Sequence, residues 1–353
     1  MRKQVMNTAM RWTGFGLLTL LLCCNDPEGI VPGNTVMQVQ PAGNDLSQGQ
    51  QVLAPGDTLL VDTAAYDLIW NRLVHNRPSA KWPVKGPYPL KGALLPFNRI
   101  VAFYGNFLSA GMGILGQLPP AALAAKLREE SKQWELADPE TPVRPAIHYI
   151  AVTAQRAPGR DHKYRLRMSF SEIDKAIQLA ATMDALVFLD LQLGQSTLLE
   201  ELPALKKYLV MPGVHLGIDP EYSMKNGQVP CSTIGTMDAT DINYATSYLR
   251  ELVKQYHLPP KILVVHRFTK GMVTNYQRIQ TIPEVQIVIN MDGFGFPGKK
   301  KDSYNGWVAG QPVQFTGFKL FYKQDLLDAR GKALMTPQEV LQLYPQPVYI
   351  QYQ

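Results

Sequence analysis

The chain contains 353 residues, of which 46% are hydrophobic, and it carries a formal net charge of +6. Three of its cations, Arg2, Lys3 and Arg11, lie in an N-terminal stretch with the composition of a removable leader, so the rest of the chain carries only +3. No concentrated face of lysine and arginine with interleaved aromatics accompanies this mild charge, which argues against a nucleic acid partner. The cationic run Lys299 to Lys301 predicts a solvated loop.

Residues 1–24 have the layout of an export signal. A positively charged segment precedes an apolar stretch, Trp12 to Leu22, that is too short to span a bilayer comfortably. The run Leu21-Leu22-Cys23-Cys24 resembles a bacterial lipobox, in which a cysteine is lipidated after cleavage just before it. The resemblance implies lipidation of Cys24 and a lipid anchor that tethers a soluble domain to a bilayer. Plain secretion is the alternative.

Residues 25–95 predict a flexible tether followed by an extended segment with a short helix. Up to about Gly56 the sequence is rich in Gly, Pro, Gln and Asn and has no aromatic residue, so it cannot bury enough surface to order itself. Its acidic start, residues 25–28, resembles surface-export tags of some Gram-negative lipoproteins, which implies an exported protein at the cell envelope, exposed on the cell surface. Asp62 is a candidate N-cap for a helix over Thr63 to Val74, and prolines then keep the chain extended as far as Pro96.

Residues 96–353 predict an α/β fold, a (β/α)8 TIM barrel. Short apolar runs that end in polar or hydroxyl-bearing residues alternate with segments of helical periodicity, and this alternation requires parallel strands joined by right-handed crossovers. The predicted strands are Ile100 to Tyr104, Ile147 to Gln155, Leu186 to Gln192, Val214 to Glu221, Ile262 to Arg267, Val285 to Asp292, Phe315 to Tyr322 and Val348 to Gln353. The predicted helices are Ala121 to Leu136, Ser171 to Met183, Ser196 to Leu209, Asp241 to His257, Met272 to Ile279 and Thr336 to Leu343.

A doubly wound sheet is the alternative architecture. It requires a glycine-rich phosphate loop after the first strand, and Gly105, Gly111 and Gly113 lack both the required spacing and a helix directly behind them. No helical pattern follows the last strand, so we expect a barrel that lacks its final outer helix. The helix over Thr63 to Val74 is a candidate to fill that gap between the first and last strands.

Four acids at the strand ends are the candidate catalytic residues. Period-two alternation turns Asp219 and Glu221 of the fourth strand toward the barrel axis, together with Asp190 of the third and Asp292 of the sixth. Barrel enzymes place their chemistry at this end of the strands. Acids that converge there repel one another and lose hydration, so we expect at least one to hold a proton near neutral pH, as a general acid requires. Taken singly, Asp190 equally fits a strand-end cap and Asp292 a turn.

Other side chains at the strand ends are candidate substrate contacts. They are Tyr104, Gln155, Gln192, His266, Lys319, Tyr322, Tyr349 and Gln351. Aromatic rings at a barrel mouth suit sugar rings, and Trp307 is a further candidate of this kind. Structural interpretations stand beside these, with His266 as a core histidine paired with an acid and Lys319 in an ion pair. Because the first strand carries no His-x-His and the mouth offers one plausible histidine ligand, we expect no metal, and no other cofactor is indicated.

The strand ends resemble those of glycoside hydrolase barrels. Asp219-Pro220-Glu221 is similar to the Asp-x-Glu signature of the chitinase-like family 18 and the lysozyme-like family 25. Met291-Asp292 is similar to the Met-x-Tyr-Asp region of the former, and residues 349–352 (Tyr-Ile-Gln-Tyr) resemble the Trp-Gln-Tyr of the latter. The resemblance implies that Glu221 is the general acid and that Asp219 orients a substrate N-acetyl group or the acid itself. The chain departs from these families at residues 215–218 (His-Leu-Gly-Ile), where the chitinase pattern has glycine and further aspartates, and at Tyr104, where the lysozyme-like family has an aspartate.

Two functions are consistent with this sequence. The first is an envelope-anchored glycoside hydrolase that cleaves a glycan, by resemblance one containing N-acetylhexosamine, through carboxylate acid/base catalysis. The second is a non-catalytic carbohydrate-binding lipoprotein on the same barrel scaffold. The barrel also resembles uncharacterised bacterial lipoproteins with the same Tyr-Gly, Asp-Leu-Gln, Asp-Pro-Glu and Asp-Gly-Phe-Gly strand ends, and that resemblance implies no function. Metal-dependent hydrolysis is a third and weaker possibility.

Overall fold

The computed structural model describes residues 60–327 and 333–353. The predicted signal peptide, the lipidation of Cys24 and the tether as far as residue 59 lie outside these described residues. Each helix in the described part is too short or too polar to traverse a lipid bilayer.

Eight parallel strands close into a barrel, which confirms the predicted (β/α)8 fold. The first strand pairs in parallel with both the second and the last, and this pairing closes the sheet. The strands are β1 Arg99–Gly105, β2 Val143–Ala154, β3 Leu186–Leu191, β4 Val214–Ile218, β5 Lys261–Arg267, β6 Val285–Met291, β7 Phe315–Leu320 and β8 Tyr349–Tyr352. A short strand, Arg165–Arg167, pairs antiparallel with the end of β2.

Helices lie in most of the connections between successive strands, and one helix precedes β1. They are α1 Thr63–Leu73, α2 Pro120–Ala137, α3 Phe170–Ala181, α4 Leu198–Glu201, α5 Lys206–Leu209, α6 Ala239–Tyr256, α7 Pro297–Ser303 and α8 Pro337–Leu341. Asp62 caps α1 as predicted, because its side chain accepts a hydrogen bond from the backbone N–H of Ala65.

Two local predictions are wrong. Residues 272–279 do not form a helix, because Asn275 has a left-handed backbone (φ 54°) and short 3-10 turns flank the strand Val273–Thr274. Lys299 to Lys301 is not a solvated loop but part of α7, which begins with Pro297 at its first turn. Lys300 is buried, and its Nζ lies 3.0 Å from a carboxylate oxygen of Asp325.

The barrel strands separate two hydrophobic regions. Outward side chains such as Leu189, Leu216 and Ile287 pack against the helices. Inward side chains such as Phe188 and Val264 fill the lower part of the lumen. Each strand therefore alternates between the two cores, as period-two spacing requires.

Residues 60–98, here called the barrel floor, close the N-terminal end of the lumen. The indole of Trp70 stacks on Phe315 at the start of β7, with ring centroids 5.2 Å apart. Trp82 donates its Nε1–H to the carbonyl of Ala309 at 2.8 Å. The backbone of Leu95 exchanges two hydrogen bonds with the side-chain amide of Gln286. The barrel floor is thereby joined to the strands through both apolar contact and hydrogen bonds.

Helix α1 does not fill a gap in the outer ring, so the predicted position is wrong. Its buried residues Tyr66, Trp70 and Leu73 belong to the inward hydrophobic cluster and pack beneath the lumen. Between β8 and β1 the outer layer is instead formed by α2 and α8, which contact each other. Trp134 of α2 donates its indole N–H to the hydroxyl of Tyr352 on β8 at 3.0 Å.

We predict that Trp70→Ala lowers the free energy of unfolding by about 3–5 kcal/mol, because it leaves a cavity between the barrel floor and β7. Leu68→Ala is the matched control on the same helix, since Leu68 is 72% exposed, and it should change stability by less than about 0.5 kcal/mol. Urea unfolding followed by fluorescence measures both. Two equally small effects would show that the barrel floor contributes little to stability.

Candidate active site

The turn after β4 presents two carboxyl groups at the carboxyl end of the barrel. Asp219 caps the 3-10 turn Pro220–Tyr222, and its Oδ1 accepts a hydrogen bond from the backbone N–H of Glu221 at 3.0 Å. Asp292 follows β6 directly. Asp219, Glu221 and Asp292 all line one cavity of about 390 Å³.

The wall of this cavity is rich in aromatic rings. They belong to Tyr104, Tyr222, Phe268, Phe294, Trp307 and Phe321. Gln192, Lys299 and Lys319 also reach the cavity, and the ammonium of Lys319 lies 3.7 Å from the centre of the Tyr104 ring. The cavity therefore combines flat apolar surfaces with three acids and two cations.

Burial sets the protonation of the acids that follow β4. Burial raises the pKa of Glu221 well above its usual range, and the charges of Asp219 and Asp292 raise it further against the opposing effect of Lys319. Burial also raises the pKa of Asp219 to about 7. Both shifts favour the protonated form of these acids, as a general acid requires.

A set of polar side chains, here called the buried polar layer, lies beneath the cavity in the lumen. It consists of His148, Asp190, His266, Tyr349 and Gln351, none of which lines the cavity. Asp190 Oδ1 lies 3.3 Å from His148 Nε2 and 3.5 Å from His266 Nε2. Its Oδ2 accepts a hydrogen bond from the hydroxyl of Tyr104 at 3.0 Å, which connects the layer to the cavity.

His266 contacts an acid on each side. Its Nδ1 lies 3.0 Å from Asp292 Oδ2, and its Nε2 faces Asp190. Burial lowers the pKa of His266, but the two carboxylates outweigh burial and raise it to about 10. Burial lowers the pKa of His148 to about 4 despite the same Asp190. At neutral pH, one charged and one neutral imidazole therefore share the carboxylate of Asp190.

The histidine of β2 is the main residue that sequence analysis missed. Counting alternate residues back from Gln155, which was predicted to contact substrate at the barrel mouth, turns His148 outward. A register shift between Ile150 and Val152 reverses that count, so His148 faces the lumen. The polar His148 in an otherwise apolar run was the available signal. Gln155, predicted as a substrate contact, follows the end of β2 and does not line the cavity.

The other predicted residues divide between the cavity and its surroundings. Tyr104, Gln192 and Lys319 line the cavity, whereas Asp190, His266, Tyr349 and Gln351 lie beneath it. Tyr322 lies outside the barrel, where its hydroxyl donates to Glu130 of α2 at 2.6 Å and its ring stacks on Tyr352. Cavity residues absent from the sequence analysis include Phe268, Phe294 and Gln353.

Gly217 on β4 leaves space for the buried polar layer. A Cβ at this position would lie 2.4 Å from both Asp190 Oδ1 and His148 Nε2. Any larger residue would therefore displace the carboxylate and the imidazole together.

No protein-family model matches this sequence, and no curated protein matches it. The function of the cavity is accordingly inferred from its residues and their geometry.

We predict that Gly217→Ala lowers the free energy of unfolding by about 1–3 kcal/mol, because the new methyl group overlaps two buried polar atoms. Gly271→Ala is the matched control, since a Cβ there meets no heavy atom within 4 Å. Denaturant unfolding of the two variants checks the difference. A Gly217→Ala protein as stable as the control would contradict the described packing of the layer.

Proposed function

We propose that the protein is a glycoside hydrolase that cleaves a glycan by carboxylate acid/base catalysis. The observation that carries the proposal is a half-buried carboxyl group, Glu221, that lines an aromatic-walled cavity beside two other acids and whose pKa is raised there. Hydrolysis of a glycosidic bond requires one protonated carboxyl and one charged group near the sugar.

The proposed roles follow from the environments of the acids. Glu221 donates its proton to the leaving-group oxygen. Asp292, held against the charged imidazole of His266, supplies negative charge toward the developing oxocarbenium ion. Asp219 orients the substrate or the acid, as the family resemblance implies. Asp190 does not line the cavity and is therefore assigned a positioning role toward Tyr104 and His266.

The proposed substrate is a carbohydrate that presents flat apolar ring faces and many hydroxyl groups. Trp307, half-buried in the cavity wall, offers a surface for stacking, and Gln192 offers a polar group in the same cavity. An N-acetylhexosamine is the favoured sugar on the resemblance of Asp219-Pro220-Glu221. With the lipobox-like leader, this gives an enzyme anchored to a lipid bilayer of the cell envelope and acting on surrounding glycan.

A binding protein without turnover is the second candidate. It is favoured if the acids are locked by basic partners, and the positive charge of Lys319 acts on both Asp219 and Glu221. Arg267 of β5 donates instead to backbone carbonyls and to Gln311. We favour catalysis because burial raises the pKa of both acids in spite of Lys319.

We predict that Glu221→Gln lowers kcat/KM by roughly 10²–10⁴-fold, because the amide cannot give up a proton to the leaving group. New reducing ends released from chitin, peptidoglycan and plant or host glycans measure the activity. Glu251→Gln, at an exposed position on α6, is the control and should match the unaltered protein. Equal release by Glu221→Gln would remove this residue from the mechanism, and binding without release by the unaltered protein would support the second candidate.

The pH dependence of the reaction tests the coupling between the acids. The protonated form of Glu221 is the active one, so activity falls as pH rises through its pKa. Ionised Asp219 raises that pKa, and we predict that Asp219→Asn moves the alkaline limb of kcat/KM to lower pH. Asp302→Asn, at an exposed site, should leave the limb in place. A limb that stays in place or moves to higher pH in Asp219→Asn would contradict the assignment.

A further inference from the structure

We propose that His148, Asp190 and His266 form a binding site for a divalent transition-metal cation in the lumen beneath the cavity. Their chemistry is best suited to Zn²⁺. One ligand atom from each residue lies within 4.8 Å of the other two. The close pairs join Asp190 Oδ1 to His148 Nε2 and to His266 Nε2. The three residues come from β2, β3 and β5 and have no exposed surface. None of these three residues donates a proton in the proposed hydrolysis, although His266 contacts Asp292 of the cavity.

The two distances from Asp190 to the imidazoles fit metal ligands better than hydrogen-bonded groups. Ligands that bind zinc tetrahedrally at about 2.0–2.2 Å stand about 3.3–3.6 Å apart. The two nitrogens lie 3.3 Å and 3.5 Å from Asp190 Oδ1, whereas a charge-assisted hydrogen bond would bring them to about 2.7–2.9 Å. Among the described residues, none of the three atoms has a hydrogen-bond partner of normal geometry, although all are buried.

The outer atoms of the same residues have polar neighbours. His266 Nδ1 lies at ion-pair distance, 3.0 Å, from Asp292 Oδ2, although the geometry of this contact is not that of a hydrogen bond. His148 Nδ1 lies 2.6 Å from the hydroxyl of Tyr349, nearer than its other neighbour Gln351 Nε2 at 3.2 Å. If each Nδ1 carries the proton, each Nε2 lone pair is available to a cation. The second oxygen of Asp190 is occupied by Tyr104.

Charge and space also favour a cation here. Asp190 and Asp292 bring two negative charges to the imidazole of His266, and a divalent ion that replaces its proton neutralises both. Gly217 faces Asp190 Oδ1 and His148 Nε2 without a side chain, so no Cβ blocks that side of the cluster. Two imidazoles and one carboxylate are a common zinc ligand set, with water as the fourth ligand.

Metal titration of the full chain tests the site. After treatment with a chelator and dialysis, we expect the protein to bind one Zn²⁺ per chain and to melt at a higher temperature. At free Zn²⁺ a hundredfold above Kd, the folding equilibrium constant should rise about a hundredfold. Co²⁺ in place of Zn²⁺ should give the intense visible absorption of a tetrahedral site. No saturable binding and no change in melting would overturn the proposal.

Variants locate the bound ion. His148→Gln, His266→Gln and Asp190→Asn should each abolish the Co²⁺ absorption, whereas His215→Gln, at another buried histidine of the lumen, should retain it. Should those three variants fail to fold, Tyr349→Phe should still fold and bind about 10–100-fold more weakly. Stoichiometric binding unchanged in all the variants would place the ion elsewhere and overturn the site. Glu221→Gln should bind Zn²⁺ normally, so a failure of the proposed hydrolysis leaves this test intact.

Discussion

The candidate active site depends on the charges of Asp190 and His266, which are buried in the polar layer beneath the cavity. Asp190 and His266 have no exposed surface, and an ion held this far from water costs several kcal/mol unless an opposite charge compensates it. Asp292 contacts the same imidazole from the cavity side. For Asp219 and Glu221, burial and the charges of neighbouring acids outweigh the opposing charges of His266 and Lys319, and both of their pKa values rise. Asp190 and Asp292 differ from this pair because each contacts the histidine directly.

The sequence carried enough information for the barrel and for the acids at its mouth. Strand alternation is a local property, so the inward positions of Asp219 and Asp292 followed from counting residues within single strands. The eight strand–helix units required a parallel closed sheet for the same reason. A raised pKa for at least one acid was also predictable, because burial and neighbouring carboxylates both raise the pKa of a carboxyl group.

The rest depended on contacts between residues far apart in the chain. A register shift in β2 changes which side chains face the lumen, and no local pattern marks it, so His148 was missed. Lys300 looked solvated within a lysine run, but its partner Asp325 lies 25 residues away. Helix α1 was placed in the outer ring, since its periodicity shows only that one face is apolar. The aromatic residues it contacts at the start of β7 are visible only in the folded chain.

The barrel floor, the apolar lower lumen, the buried polar layer and the cavity follow one another along the barrel axis. This order separates the residues that stabilise the fold from those proposed to react. The barrel floor and the apolar side chains above it exclude water from the lower lumen, and this burial gives the polar layer its strong electrostatic interactions. The polar layer in turn fixes Tyr104 and Asp292 at the base of the cavity through Asp190 and His266. Reactive groups have to be held within about half an ångström by supporting contacts. The proposed cation between β2, β3 and β5 would add to that support. It would join Asp190 to the two imidazoles, which lie 3.3 Å and 3.5 Å from it, farther than in a charge-assisted hydrogen bond.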